Sequence, residues 1–198
     1  RVDVALRDKA GSVRVEVSDD DEMLFWSKNE VPIVQSKDGF SLDCEQQLRL
    51  RSILPGVSFR KLAKQIPAID EELRGRASLD LRVDGDACDP TVGLVAAVDT
   101  AVGAQGERVR LDVEFQRDGD NLELRTAVEQ EIQRIAEVNA VLATHLTEAL
   151  ERLLRQGQDV DFANTDTWLD SFYVNLELQQ ADVGRLARMG AVTHPIEG

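Results

Sequence analysis

The sequence predicts an α+β fold in which a curved, mainly antiparallel sheet of about 8–9 strands packs on one long amphipathic helix. Apolar and polar residues alternate in several short segments, which is typical of strands with one buried face. These segments follow one another through turns, so neighbouring strands are expected to run antiparallel. One segment, residues 126–156, instead has the spacing of an amphipathic helix.

The strands are predicted from alternating apolar positions and from the turn residues between them. Gly119 supplies the positive φ that a tight hairpin turn at residues 117–120 requires. Two or three short helices are also expected, at residues 58–66, where Ser58 can cap the first turn, at residues 182–189, and as one further turn near residue 70. The predicted strands cover residues 2–6, 13–17, 23–26, 40–53, 77–83, 91–102, 107–116, 121–125 and 168–178.

The long helix is predicted from its spacing and from the signals at its ends. Thr126 and Glu129 match the S/T-x-x-E capping box, and Gly157 follows as a C-terminal cap. Only Asn139 interrupts the apolar stripe, which is the candidate interface of the protein. The stripe consists of Val128, Ile132, Ile135, Asn139, Leu142, Leu146, Ala149 and Leu153.

Two interpretations of this stripe remain open. In the first, it is the helical half of the domain core. In the second, part of the helix projects from the domain and pairs with a partner helix, self-association included. Val138, Leu150 and Leu154 broaden the stripe beyond a strict seam, which favours the first interpretation. The 4-3 spacing supports the second, because it places Asn139 at a seam position where a buried Asn sets register and oligomeric state.

Length and composition indicate one domain. The chain has 198 residues, of which 42% are hydrophobic, and a chain of this size can bury a core. We assign residues 1–190 to a single α+β domain and residues 191–198 to a C-terminal tail.

Charge limits the partners. With 23 Lys and Arg against 37 Asp and Glu, the formal net charge is -14, so we expect no nucleic-acid partner. No apolar run approaches the roughly 20 residues of a membrane-spanning helix, and no secretory signal is found. Because Arg1 is not an initiator Met, we expect a processed or truncated soluble chain. Its compartment stays open between the cytoplasm and an exported or periplasmic location with the targeting segment removed.

The two cysteines, Cys44 and Cys88, leave open whether a disulfide forms. In an exported domain two distant cysteines can pair, whereas in the cytosol they are usually buried thiols. The sequence has no CxxC pair, which excludes a zinc ribbon or a thioredoxin-type site.

The residues of known catalytic motifs are missing. No Ser, Cys or carboxylate lies at a motif-forming spacing near His145, and His194 lies in the C-terminal tail. The acidic segment at residues 84–89 lacks the Gly and the bidentate acid of a calcium loop, so we expect a turn there. Phosphate-binding loops, nucleophile elbows and HExxH motifs are also absent. We therefore expect a protein that is not an enzyme, with no catalytic residues, no cofactor and no metal site.

Two functions fit these expectations. The first is a structural or interaction protein, such as an assembly subunit or adaptor, that binds protein partners through the long helix and the sheet edges. The alternative is a carrier module for an apolar ligand such as a lipid, held in a cleft between the curved sheet and the long helix. The Val, Leu, Ile and Ala content favours such a cleft, and aromatic residues are only 5%.

Overall fold

The computed structural model consists mainly of one antiparallel sheet with two short helices. It describes residues 2–7, 10–19, 22–36, 39–66, 73–102, 107–131, 133–156, 164 and 168–178. The strands are β1 (Val2–Arg7), β2 (Ala10–Asp19), β3 (Glu22–Ser36), β4 (Gly39–Leu42), β5 (Gln47–Ser58), β6 (Gly75–Asp86), β7 (Asp89–Val102), β8 (Glu107–Asp118), β9 (Asn121–Gln130), β10 (Gln133–Thr144) and β11 (Leu169–Leu178). The helices are α1 (Phe59–Gln65) and α2 (Leu146–Gln156).

The strand order follows the chain almost without exception. Across the sheet it is β1-β2-β3-β5-β6-β7-β8-β9-β10-β11, and β4 pairs with β3 beside this path. Every pairing among the described strands is antiparallel, which confirms the predicted antiparallel sheet. The predicted tight turn after β8 is also confirmed, since Gly119 has a φ of 57°.

The long helix predicted over residues 126–156 is wrong, and with it the fold class of a sheet packed on such a helix. Residues up to Gln130 belong to β9, residues 133–144 form β10, and only residues 146–156 are helical, as α2. The predicted capping residues Thr126 and Glu129 are in β9, where Thr126 lies opposite Val113 and Val138, and Gly157 lies outside the described residues. A turn at Glu131, with a φ of 57°, reverses the chain between the two strands.

The physical reason is that this segment satisfies two periodicities at once. Alternate residues of β10, beginning at Ala136 and ending at Leu142, are apolar and lie on one face. Pairing with β9 on one side and β11 on the other satisfies the backbone groups that a helix would bond internally. Long-range pairing therefore overrides a local helical pattern.

Two predicted strands have different limits in the structure. The strand predicted at residues 40–53 is divided by a turn into β4 and β5, because Asp43 accepts hydrogen bonds from Glu45 N through Oδ1, at 3.2 Å, and from Gln46 N through its carbonyl. The strand predicted at residues 23–26 extends through Pro32 to Ser36 as β3. Pro32 is tolerated because β5 pairs with β3 only as far as Glu30.

The fully buried core is small and lies where β5 ends and β6 begins. Leu62 of α1 packs with Leu24 and Val57, and partly buried Leu54 and Ala77 surround them. This cluster fixes α1 against β5 and β6.

A disulfide joins Cys44 and Cys88 at the other ends of β5 and β6, with a Cα–Cα separation of 5.0 Å. It connects the turn before β5 to the turn between β6 and β7, and Cys88 is 3% exposed. The hydrogen bond from Ala87 N to Gln46 O, at 3.1 Å, joins the same two turns. The question left open by the sequence is therefore answered in favour of a disulfide.

Candidate functional site

Strand alternation gives the sheet an apolar face and a polar face. Residues directly opposite one another on paired strands share a face, so the register of each pair assigns them. We use the term apolar face for the following side chains: Leu50, Leu54, Leu79, Leu81, Val83, Val92, Leu94, Ala96, Val98, Val109, Leu111, Val113, Phe115, Leu122, Leu124, Val128, Ala136, Val138, Ala140, Leu142, Phe172, Val174, Leu176 and Leu178.

The apolar face is only partly covered. Of these side chains only Ala140 is buried; the others from β5 to β10 are partly exposed, and the four on β11 are exposed. Leu48 and Val57, near the two ends of β5, lie on the same face and are also buried. Ordinary sheet faces of this composition are packed against a second layer. Among the described residues, the layer on this face consists only of α1, which contacts β5 and β6, and α2, which contacts β7.

An unbroken apolar row crosses the middle of this face. Opposite one another on successive strands are Leu81, Leu94, Phe115, Leu124 and Ala140. Val174 of β11 continues the row, and at a strand spacing of about 4.8 Å the six strands from β6 to β11 span roughly 24 Å. The surface is therefore a long apolar strip running across the strands.

The row meets a small polar cluster on β3 and β5. Ser27, which is 4% exposed, contacts the Ser52 hydroxyl at 2.9 Å and accepts a hydrogen bond from Asn29 Nδ2 at 3.0 Å. Ser52 lies opposite both Ser27 and Leu81, so the cluster is in register with the apolar row. Its hydroxyl and amide groups satisfy one another.

A buried arginine attaches α2 to the other end of the apolar face. Arg117 lies opposite Val92 and is 5% exposed. Its guanidinium donates to Asp89 Oδ1 at 2.7 Å, to Thr147 Oγ1 at 3.4 Å, and to the carbonyl of Pro90. The Thr147 hydroxyl also donates to Asp89 Oδ1 at 3.2 Å, so these contacts hold the first turn of α2 at the strand ends.

Strand β11 is an edge of the sheet within the described residues. It pairs with β10 on one side only. Its apolar-face residues are 53–70% exposed, and Tyr173 on the polar face is 65% exposed. A ten-residue edge strand with this exposure offers unpaired backbone groups together with apolar side chains.

The polar face carries ion pairs. Asp80 contacts Arg82 at 3.0 Å and Arg51 at 3.2 Å, and the hydrogen bond from Arg82 is the main cause of a lowered pKa of Asp80. A cavity of about 270 Å³ on this face is lined by residues of β8, β9 and β10, including Glu114, Arg125 and Asn139. Within the described residues, no group of three or more His, Cys, Asp or Glu is placed to hold a metal ion.

The predicted stripe is not one surface. Val128 and Leu142 lie on the apolar face, whereas Asn139 lies on the polar face opposite Arg125. Asn139 accepts from Arg125 Nε at 3.0 Å and donates to Glu137 Oε1 at 3.1 Å, so it is bonded within the sheet.

The other stripe residues are dispersed. Ile135 is buried at the irregularity between β9 and β10, while Leu146, buried Ala149 and exposed Leu153 are in α2. Ile132 lies outside the described residues. A role of these residues in partner binding stays a prediction, but no shared helical stripe joins them.

Sequence reasoning missed the apolar face as a site. Each strand was recognised as having one apolar side, but those sides were expected to be covered by the long helix. The alternation from Leu122 through Val128 could have extended the strand predicted at residues 121–125, and that from Ala136 through Leu142 could have revealed one more strand, which leaves the face without its cover.

No described helix is long and apolar enough to cross a membrane. Comparison with protein-family models, with curated proteins and with solved structures finds no match to this chain.

Proposed function

We propose that the protein is a non-enzymatic binding module that holds an apolar ligand, of the lipid acyl-chain class, on the apolar face between α1 and α2. The observation that carries this proposal is the partly exposed row through Leu81, Leu94 and Phe115, which no described element covers along its length.

The driving force is the removal of apolar surface from water, at roughly 25 cal/mol per Å². The face extends over seven strands, whereas a monomer usually exposes apolar patches of only a few hundred Å². A ligand that covers it therefore gains free energy along its whole length.

The shape of the face favours an extended ligand. The row is continuous across the strands, whereas the helices limit the face along the strands, α1 near Val57 and Ala77 and α2 near Asp89. A hydrocarbon chain can lie across several strands in the space between them. The scarcity of aromatic side chains, 5% of the chain, supports aliphatic over aromatic ligands.

The proposal is tested with a matched pair of substitutions on β7. Leu94 lies on the apolar face, and its neighbour Val95 lies on the polar face and is 57% exposed. We expect Leu94→Asp to weaken binding of a fluorescent fatty acid by at least tenfold, because a carboxylate would lie in the middle of the row. Val95→Asp should bind like the wild type.

Lipid extraction of the purified protein, followed by mass spectrometry, provides an independent measurement. Lipid that co-purifies with the wild type and with Val95→Asp, but not with Leu94→Asp, supports the proposal. Equal binding by both folded variants, or no binding by the wild type, would refute it. Circular dichroism and urea unfolding establish that each variant is folded.

A second candidate function is the binding of a protein partner through the sheet edge. The exposure of β11 on both faces favours it. Partner binding through a long helix is not retained, because that helix does not exist.

A further inference from the structure

We propose that β11 pairs with β11 of a second copy of this chain, in an antiparallel register centred on Asn175. This inference rests on the second candidate function, binding through the sheet edge, and names the partner. It is independent of ligand binding on the apolar face.

Side chains of β11 are exposed on both faces of the sheet. Phe172, Val174, Leu176 and Leu178 are 53–70% exposed, and among the described strands only β10 pairs with β11, on one side. An open edge of this length is a template for another strand. Natural edges are usually protected by charge or proline, but only Asp170 and Glu177 are charged in β11.

Two copies of β11 have complementary side chains when they pair antiparallel. An antiparallel pair centred on Asn175 places Phe172 opposite Leu178 and Val174 opposite Leu176, so apolar side chains meet on one face. On the other face Tyr173 lies opposite Glu177, whose carboxylate can accept from the phenol. No two carboxylates are opposed.

Other registers are less favourable. A shift by one residue puts apolar side chains opposite polar ones, because side-chain direction alternates along a strand. Centring the pair on Val174 keeps the faces together but places Asp170 opposite Leu178. The register centred on Asn175 is therefore the one we expect.

The exposed side chains of β11 set an upper limit on the area that a dimer can bury. If a fully exposed aromatic side chain offers 150–250 Å², Phe172 and Tyr173 together offer roughly 200–350 Å² per copy at their exposures of 70% and 65%. With the aliphatic side chains the two copies offer at most about 1,000 Å², the lower limit for a specific interface, and edge pairing buries only part of it, because both faces of the extended sheet stay open. We expect a weak dimer in which two apolar faces become continuous.

The register is tested by cysteine cross-linking. Directly opposed Cα atoms in an antiparallel pair are about 4.5–5.5 Å apart, within the range that a disulfide spans. Asn175→Cys should therefore form a dimer linked through residue 175 under mild oxidation. In the matched control Glu177→Cys, the two cysteines would be about 13 Å apart along the strands, and linkage should be slow.

Mass in solution provides the second measurement. Sedimentation of the wild type should show a monomer–dimer equilibrium, stronger at higher salt because each copy carries a charge of -14. Val174→Lys with Leu176→Lys should remain monomeric, whereas Val95→Lys, on the polar face of an interior strand, should associate like the wild type.

Three results would overturn the inference. These are a monomeric wild type up to roughly 1 mM, equal cross-linking at residues 175 and 177, or growth into larger assemblies through other strands. Ligand binding that Leu94→Asp abolishes would persist in any of these cases, so failure of the dimer and failure of the proposed function are distinguishable.

Discussion

Glu137 illustrates how single residues order the polar face. Its Oε2 accepts from Arg134 Nη1 at 2.6 Å, and its Oε1 accepts from Asn139 Nδ2 at 3.1 Å and lies 3.3 Å from Arg125 Nε. The side chain is only 12% exposed. The hydrogen bond from Asn139, followed by that from Arg134, lowers the pKa of Glu137 below its ordinary 4.5.

A lowered pKa in the folded state means that the ionised carboxylate stabilises the fold. This contribution is complete above the unfolded pKa and is lost as the pH falls through the folded pKa, below 4.5. We expect Glu137→Gln to lower the free energy of unfolding at pH 7, and the difference from the wild type to shrink towards pH 3. Urea unfolding across this range measures it.

The exposed carboxylate of Glu123 in β9 provides the control, since it lies on the same face of the sheet as Glu137. Glu123→Gln should change the free energy of unfolding by less than about 0.5 kcal/mol. If the free energy of unfolding of Glu137→Gln differs from that of the wild type by the same amount at pH 3 and at pH 7, the lowered pKa of Glu137 is contradicted.

At the scale of elements, the β9–β10 hairpin replaces most of the predicted helix. Glu131 forms its turn with a φ of 57°, which costs a residue with a side chain roughly 1 kcal/mol. Its backbone N–H donates to Arg108 O at 2.9 Å, a bond that glycine would keep, whereas its Oε1 accepts from Arg108 N at 3.4 Å, a longer bond that glycine would lose. We therefore expect Glu131→Gly to raise the free energy of unfolding by up to about 1 kcal/mol, measured by urea unfolding.

The sign of this effect separates the two folds. In the middle of a helix the same change would destabilise by roughly 0.5–1 kcal/mol, because glycine loses more conformational freedom on folding. Glu123→Gly, in the extended part of β9, is expected to destabilise by a similar amount. A stability loss at residue 131 as large as that at residue 123 would contradict the hairpin.

Local pattern was sufficient where only one periodicity is present. The strands on both sides of Gly119 alternate, and the turn between them requires positive φ, so β8, the turn and β9 as far as residue 125 were predicted correctly. In the segment from Val128 to Leu142 the helical and alternating patterns coincide. Pairing with β11, about 35 residues later in the chain, decides between them, and a local pattern does not contain that information.

At the scale of the whole molecule, the disulfide connects β4–β5 with β6–β7 across a sequence separation of 44. Closing a loop of this length restricts the unfolded chain, which is worth about 2–4 kcal/mol. We expect the double substitution of Cys44→Ala and Cys88→Ala to lower the free energy of unfolding by this amount in urea.

The wild type in a reducing agent is the matched control, because it loses the covalent link but keeps both side chains. It should show a comparable loss of stability. If the native protein reacts with a thiol reagent at two sites without unfolding, or if reduction leaves its stability unchanged, the disulfide does not exist in solution.

The sequential strand order also determines how the molecule opens. Each strand on the path is bonded to strands close to it in the chain, so the sheet behaves as a one-dimensional array in which stability is shared between nearest neighbours. Strands at the ends have one neighbour and interior strands have two, so opening costs least at the ends. Strand β11 can therefore separate from β10 while β5 to β8 stay paired. A protein built in this way can exchange its outermost strand without unfolding its centre.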